Sequence, residues 1–188
     1  MFDDPRILGH VFAAPYALFE PSLAFVAEDE AGVGGYIVGA LDSRAFEERL
    51  EAEWWPALRD RYPAPPSGLA LDQQTPDQRA AGCIHVPFTV PDELAASYPS
   101  HLHINLVPRL QSQGLGRQLM NALIRALREQ GSVGLHFLVW PANQRAIGFY
   151  RHLGFIVISA EGPVIFAMDL RPRPARSGRS GRSGLRRP

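Results

Sequence analysis

The residues whose types and spacing suit chemistry are the loop Gln111-Ser112-Gln113-Gly114-Leu115-Gly116-Arg117, the pair Asn143 and Tyr150, the alternating His101 and His103, and the adjacent Trp54 and Trp55. The loop lies between an alternating strand pattern and a helical one. Such a turn is suited to an anion, because N–H groups are free at a helix N-terminus and the helix dipole favours negative charge there. Glycine lets a phosphate approach the backbone closely. Other phosphate motifs are excluded. A P-loop requires Gly-Lys-Ser/Thr, but Arg117-Gln118 follow Gly116, and a dinucleotide fingerprint would need glycine where Leu119 stands. Two glycines alone also fit a plain tight turn.

The other groups each carry two readings. His101 and His103 alternate onto the same strand face as Asn105, towards a cleft if Ile104 and Leu106 face the core. Imidazole suits a general base near neutral pH, although strand histidines are more often structural. Glu53 and Asp60 are alternative bases if their helix lines the cleft. Asn143 reads as a helix N-cap and Tyr150 as a core aromatic beside Phe149 and Leu153. Trp54 and Trp55 point about 100° apart on a helix; they read as core packing or as an apolar wall for a substrate. The single cysteine, Cys83, excludes an internal disulfide and a cysteine-rich zinc site, and the histidines show no ligand spacing, so no metal is expected.

The elements that must position these residues follow from periodicity. Residues 23–29 and 36–41 flank glycines 32, 34 and 35 and predict a hairpin. Ser43 offers an N-cap to a helix running to residue 62, with Phe46, Leu50, Trp54 and Leu58 in step. The Pro-, Gly- and Gln-rich stretch 63–82 predicts a loop, Ile84–Val90 a strand interrupted by Pro87, and Asp92 the cap of a short helical turn. His101–Val107 alternates as a half-buried strand ended by Pro108. A helix from 114 to 130, a strand from 135 to 140, a helix from 144 to 152, and strands at 156–159 and 164–170 complete a mixed α/β order.

Composition bounds the rest. All 19 basic residues are arginine, and seven of them fall in residues 171–188, which hold no acid. Residues 1–170 carry 12 arginines against 19 acids, a net of −7. An acidic body argues against nucleic-acid binding and suits a cationic, amine-bearing substrate. The Arg-Ser-Gly repeats of 171–188 predict a disordered basic tail, with an anion-tethering role as the alternative to a solvated one. No apolar run is long enough to span a bilayer, and the acidic start Met1-Phe2-Asp3-Asp4 lacks a signal peptide's basic residues, so a cytoplasmic location is expected.

The run Ile104-Asn105-Leu106-Val107-Pro108-Arg109-Leu110-Gln111-Ser112-Gln113-Gly114-Leu115-Gly116 resembles the first signature of the GNAT superfamily of acyl-CoA N-acyltransferases: a strand, a proline, then Gln/Arg-x-x-Gly-x-Gly/Ala. Asn143-Gln144-Arg145-Ala146-Ile147-Gly148-Phe149-Tyr150-Arg151-His152-Leu153-Gly154-Phe155 resembles the second. His101-Leu102-His103-Ile104, Trp54-Trp55-Pro56 and Arg59-Asp60-Arg61-Tyr62-Pro63 are further similar to the acetyltransferase-like domains fused to some O-GlcNAc hydrolases and to their free-standing bacterial relatives. That group includes non-catalytic members, so a non-catalytic acyl-CoA-binding interaction module is a second reading, and a nucleic-acid tether through the tail a third.

The resemblance implies a GNAT-like α/β domain over residues 1–170: a mixed, mostly antiparallel sheet splayed at its middle strands, with helices on both faces. It implies acetyl-CoA as co-substrate and direct acetyl transfer to an amine of a small molecule or protein. By resemblance, the 111–117 loop holds the pyrophosphate and backbone N–H groups near Leu106 and Val107 face the thioester oxygen. The Asn143 amide binds the pantetheine arm, and the Tyr150 hydroxyl protonates the leaving thiolate. It also implies a strand and one or two helices before the hairpin. About 22 residues precede Leu23, and Gly9–Phe19 supplies one short helix, so that first strand is expected to be reduced or absent.

Overall fold

The computed structural model describes residues 2–172. The reading of the basic tail therefore lies, beyond Pro172, outside the described residues. Six strands form one mixed sheet: β1 (Ala24–Asp29), β2 (Gly32–Ala40), β3 (Ser100–Leu106), β4 (Gly134–Val139), β5 (Ile156–Ser159) and β6 (Val164–Asp169), in the spatial order β1-β2-β3-β4-β6-β5. All neighbours are antiparallel except β3 and β4. Those two pair in parallel only at Ser100↔Leu135 and His101↔His136. β3 stays paired to β2 as far as Leu106, and β4 stays paired to β6 as far as Val139. The gap between them is thus a divergence of two intact half-sheets, the expected splay.

Each face of the sheet has its own core. On one face α7 (Leu115–Glu129) and α8 (Gln144–His152) cover Ile37, Leu102, Leu135, Phe137 and Phe166. Leu119, Met120, Leu123, Ile124 and Leu127 give α7 the apolar stripe that this requires. On the other face α1 (Ile7–Phe12), α2 (Ala14–Phe19), α3 (Ser43–Arg49), α4 (Trp55–Arg61) and α5 (Pro76–His85) cover Val38 and Ala40; α6 (Asp92–Ser97) leads into β3. No helix among the described residues is long and apolar enough to cross a membrane.

Several local expectations are corrected. The single helix over 9–19 is two, because the chain breaks at Ala13 and Pro15 begins the next helix, where a missing N–H costs nothing. The helix after β2 is capped by Asp42, whose Oδ1 accepts from Ala45 N–H at 3.0 Å, and not by Ser43. It widens to a π-turn over Leu50–Trp54, just before Pro56, which gives Ala52 no N–H. The loop expected over 63–82 ends early: Thr75 and Gln78 form a reciprocal capping box that starts α5. Ile84 and His85 close that helix, so no strand spans 84–90. Asp92 is the first helical residue of α6 rather than its cap, and Pro91 holds the cap position.

Candidate functional site

The loop between β3 and α7 is shaped to present donors. Ser112 (φ 61) and Gly114 (φ 80) both adopt left-handed backbone, which curls successive N–H groups toward one concavity. Leu110 and Gln111 N–H are satisfied by Val107 and Pro108 carbonyls, and Gln118 N–H by Gly114. The N–H groups of Ser112, Gln113, Gly114, Leu115, Gly116 and Arg117 donate to no acceptor among the described residues. They lie at the start of a 15-residue helix whose dipole adds positive potential.

A cation reinforces the loop. Arg145, in the first turn of α8, donates from Nη2 to Ser112 Oγ at 2.9 Å and from Nη1 to Gln111 Oε1 at 2.5 Å. Gln111 in turn donates from Nε2 to the Leu106 carbonyl at 2.7 Å. Arg145 lies inside the second signature, but its spacing gives no sign of this role, which exists only because α8 folds back over the loop. Asn143 caps α8, its Oδ1 accepting from Ala146 N–H at 3.1 Å. The α7 start, α8 and β3 meet at Gly116: a β-carbon there would lie 3.3 Å from Phe149 Cζ and 3.4 Å from Leu106 Cδ1.

Strand β3 offers the gap one backbone group where two were expected. Val107 N–H donates to the Gly34 carbonyl at 2.8 Å and is therefore turned toward β2. Backbone groups alternate along a strand, so Leu106 turns its N–H and C=O into the gap. Of the pair Leu106 and Val107, only Leu106 has an N–H available there. Tyr150 packs its ring on Phe137 of β4, with centroids 4.5 Å apart, and on Phe155 and Phe166. Burial pushes its phenol up to about 12, so it stays protonated across the physiological range.

The opposite face of β3 carries the histidines. His103 and Asn105 line a cavity of about 320 Å³ with Leu8, Gly9, Phe12, Ala13 and Tyr36. His101 does not, which corrects its expected place on an open cleft. Ser43 Oγ donates to the Pro99 carbonyl at 2.6 Å and so accepts from His101 Nδ1–H at 2.8 Å. Nε2 is then left to accept from the Tyr16 hydroxyl at 2.8 Å. Both ring nitrogens are engaged and the network assigns the tautomer. Burial, with His103 and His136 close by, holds the His101 pKa well below its usual value. Burial alone lowers His103 to about 4, its ring set edge-on to Phe12 and Tyr16.

These neutral histidines have a consequence for folding. The unfolded chain protonates near 6.5, while the native His103 resists protonation until about 4. The unfolded state therefore binds more protons as pH falls through that window, and native stability, complete above about 6.5, is lost progressively below it. His103 alone accounts for roughly 2 kcal/mol between pH 7.5 and 5.0. Urea unfolding at those two pH values checks this: His103→Gln should shrink the wild-type difference by about that amount, and an undiminished difference would refute it.

The other acceptor-side expectations are also corrected. Trp55 is buried (4% exposed) in the core beneath α4. Trp54 donates from Nε1 to the His10 carbonyl at 2.9 Å and packs on His10 and Phe19. Glu53 is exposed and ion-paired to Arg49 at 3.1 Å, and Asp60 is exposed. None of these four lines the cavity. Its helical wall comes instead from Leu8, Gly9 and Phe12, residues that carried no signal because a short N-terminal helix has too few turns to show which face it buries. Among the described residues no group of three or more His, Cys, Asp or Glu could hold a metal ion.

A mixed sheet parted at its middle strands, with a donor-lined loop opening the helix after the parted strand, defines the GNAT-like α/β fold. The chain belongs to the Acetyltransferase (GNAT) family, which it matches over residues 40–155, a family that typically uses acetyl-CoA. It is similar to the crystal structure of SsHAT, at 36% identity and a TM-score of 0.78, covering 91% of this chain and 84% of that one. Protein O-GlcNAcase of Rattus norvegicus is 25% identical over 160 residues, 84% of this chain, and the chain spans only 17% of that protein's length. A further acetyltransferase crystal structure, 18% identical with a TM-score of 0.54 over 88% of this chain and 79% of that one, shares the fold.

Proposed function

We propose that the chain is an acetyl-CoA-dependent N-acetyltransferase that passes the acetyl group directly from the thioester to an amine. The observation that carries this reading is the run of unclaimed N–H groups from Ser112 to Arg117, set at the mouth of the splay. In this reading the loop and Arg145 hold the pyrophosphate, and the pantetheine arm lies in the gap between β3 and β4. Leu106 N–H donates to the thioester oxygen as it gains charge. Asn143, beyond its capping bond, turns its amide toward the arm.

The neutral amine attacks the thioester carbon, the new C–N bond forms, and the C–S bond breaks. The amine's proton leaves through water past His103, whose low pKa makes it a relay rather than a strong base. Tyr150 gives its proton to the departing thiolate. The acid role is tested by Tyr150→Phe: kcat for thiol release should fall about 100-fold with coenzyme A affinity unchanged. An unaltered kcat removes Tyr150 from the chemistry. Wild-type protein that binds coenzyme A but releases no thiol with any amine favours the non-catalytic interaction module instead.

A further inference from the structure

The cavity across the sheet from the loop has the wrong lining for an acceptor that would seat charge inside it. It is walled by Leu8, Gly9, Phe12 and Ala13 of the N-terminal helices, by Tyr36 of β2 and by His103, Ile104 and Asn105 of β3. No aspartate, glutamate or arginine is among these residues. Burial keeps the His103 imidazole and the Tyr36 phenol neutral at physiological pH. An ammonium buried here would lose hydration without gaining a counter-charge, so only an acceptor whose single ammonium stays outside, beyond Asn105, fits the lining. The polar groups present, the Asn105 amide and the Tyr36 hydroxyl, face each other across paired positions of β2 and β3 and offer neutral hydrogen bonds.

Position and size complete the argument. Asn105 and Leu106 are successive residues of β3, so the cavity ends about 3.3 Å along the strand from the backbone group assigned to the thioester. Their side chains point to opposite faces, so a donor on the α7 face and a ligand in the cavity would meet at the open end of β3. A volume of about 320 Å³ is at the small end of ligand pockets, which run from roughly 300 to 1,000 Å³. The acidic balance of residues 1–170 acts at long range and draws amines in; the lining selects among them.

Resting on the transferase reading, we infer that this cavity is the acceptor site and that it takes a compact primary amine on an aromatic or branched apolar body, in preference to a polyamine or a lysine-rich segment. The apolar body packs against Leu8, Phe12 and Tyr36, and the amine reaches past Asn105 toward the splay.

Ligand-observed NMR on the full chain, with and without coenzyme A, tests this without requiring turnover. The probes are phenethylamine and tryptamine against spermidine and a lysine-containing peptide. The aryl amines should bind at least tenfold more tightly, and Phe12→Ala should weaken them about tenfold. Gly9→Leu guards against a folding artefact, since a β-carbon at Gly9 meets nothing within 4 Å and the longer side chain would fill the cavity. It should abolish aryl-amine binding while melting temperature and coenzyme A affinity hold. Preference for spermidine or the peptide, or aryl-amine binding that survives Gly9→Leu, overturns the inference. Calorimetry with coenzyme A alone reports separately on the transferase reading.

Discussion

Gly114→Glu is expected to weaken coenzyme A binding by more than about 100-fold while the protein stays folded. A β-carbon at Gly114 meets nothing within 4 Å, so no packing is broken. The backbone there has φ 80, and a non-glycine residue costs about 1–2 kcal/mol in that conformation. The larger effect is on the ligand. A carboxylate placed among the unclaimed N–H groups would repel a pyrophosphate and compete for its donors, and each charge-assisted hydrogen bond is worth roughly 1.5–3 kcal/mol. Losing two of them accounts for the expected change. Gly114→Ala isolates the backbone cost and should reduce affinity far less. Isothermal calorimetry beside a thermal melt reads both quantities; a folded Gly114→Glu protein with wild-type affinity would remove the loop from the cofactor site.

Gly134→Ala should produce a large loss of stability through a contact that cannot relax. Its β-carbon would sit 2.7 Å from the Ser97 carbonyl oxygen and 2.8 Å from Tyr98 Cα, both backbone atoms. A side chain could swing away, but the backbone between α6 and β3 cannot move without shifting β3 itself. A cost of roughly 3 kcal/mol is expected, at the upper end for overpacking. The strain falls beside the parallel seam, since Leu135 pairs with Ser100. Equilibrium urea unfolding measures it, and a change below about 1 kcal/mol would show that the α6–β3 junction yields.

The half of the molecule after residue 100 was legible in the sequence because its signals are local and agree with one another. The alternation of His101–Val107, the apolar stripe of α7, the Asn143 cap and the turn at Glu161-Gly162-Pro163 each specify an element unaided. Before residue 100 the hairpin was legible too, but most helices run only six or seven residues and are held by distant partners. Ser43 looks like a cap, but its hydroxyl is spent on Pro99 and His101, and the cap falls to Asp42. The start of α5 was written in Thr75-Pro76-Asp77-Gln78, yet the surrounding prolines and glutamines masked it. The candidate site divides the same way. Its loop is contiguous in sequence, whereas Arg145 and the cavity wall come together only through tertiary folding.

The hydrogen bond from Gln111 to the Leu106 carbonyl separates two quantities that are easily conflated, tightness and alignment. Within the protein that carbonyl already has a donor. A pantetheine amide that takes the same position exchanges one hydrogen bond for another, and such an exchange adds little net free energy. In the proposed transferase the strand edge would therefore contribute mainly a ruler, setting how far the thioester advances along β3. The loop, whose N–H groups have no acceptor among the described residues to give up, would supply most of the grip. A shortened cofactor carrying only the phosphate end would then be held nearly as firmly as the whole, and only the full-length arm would be registered against the residues that carry out transfer.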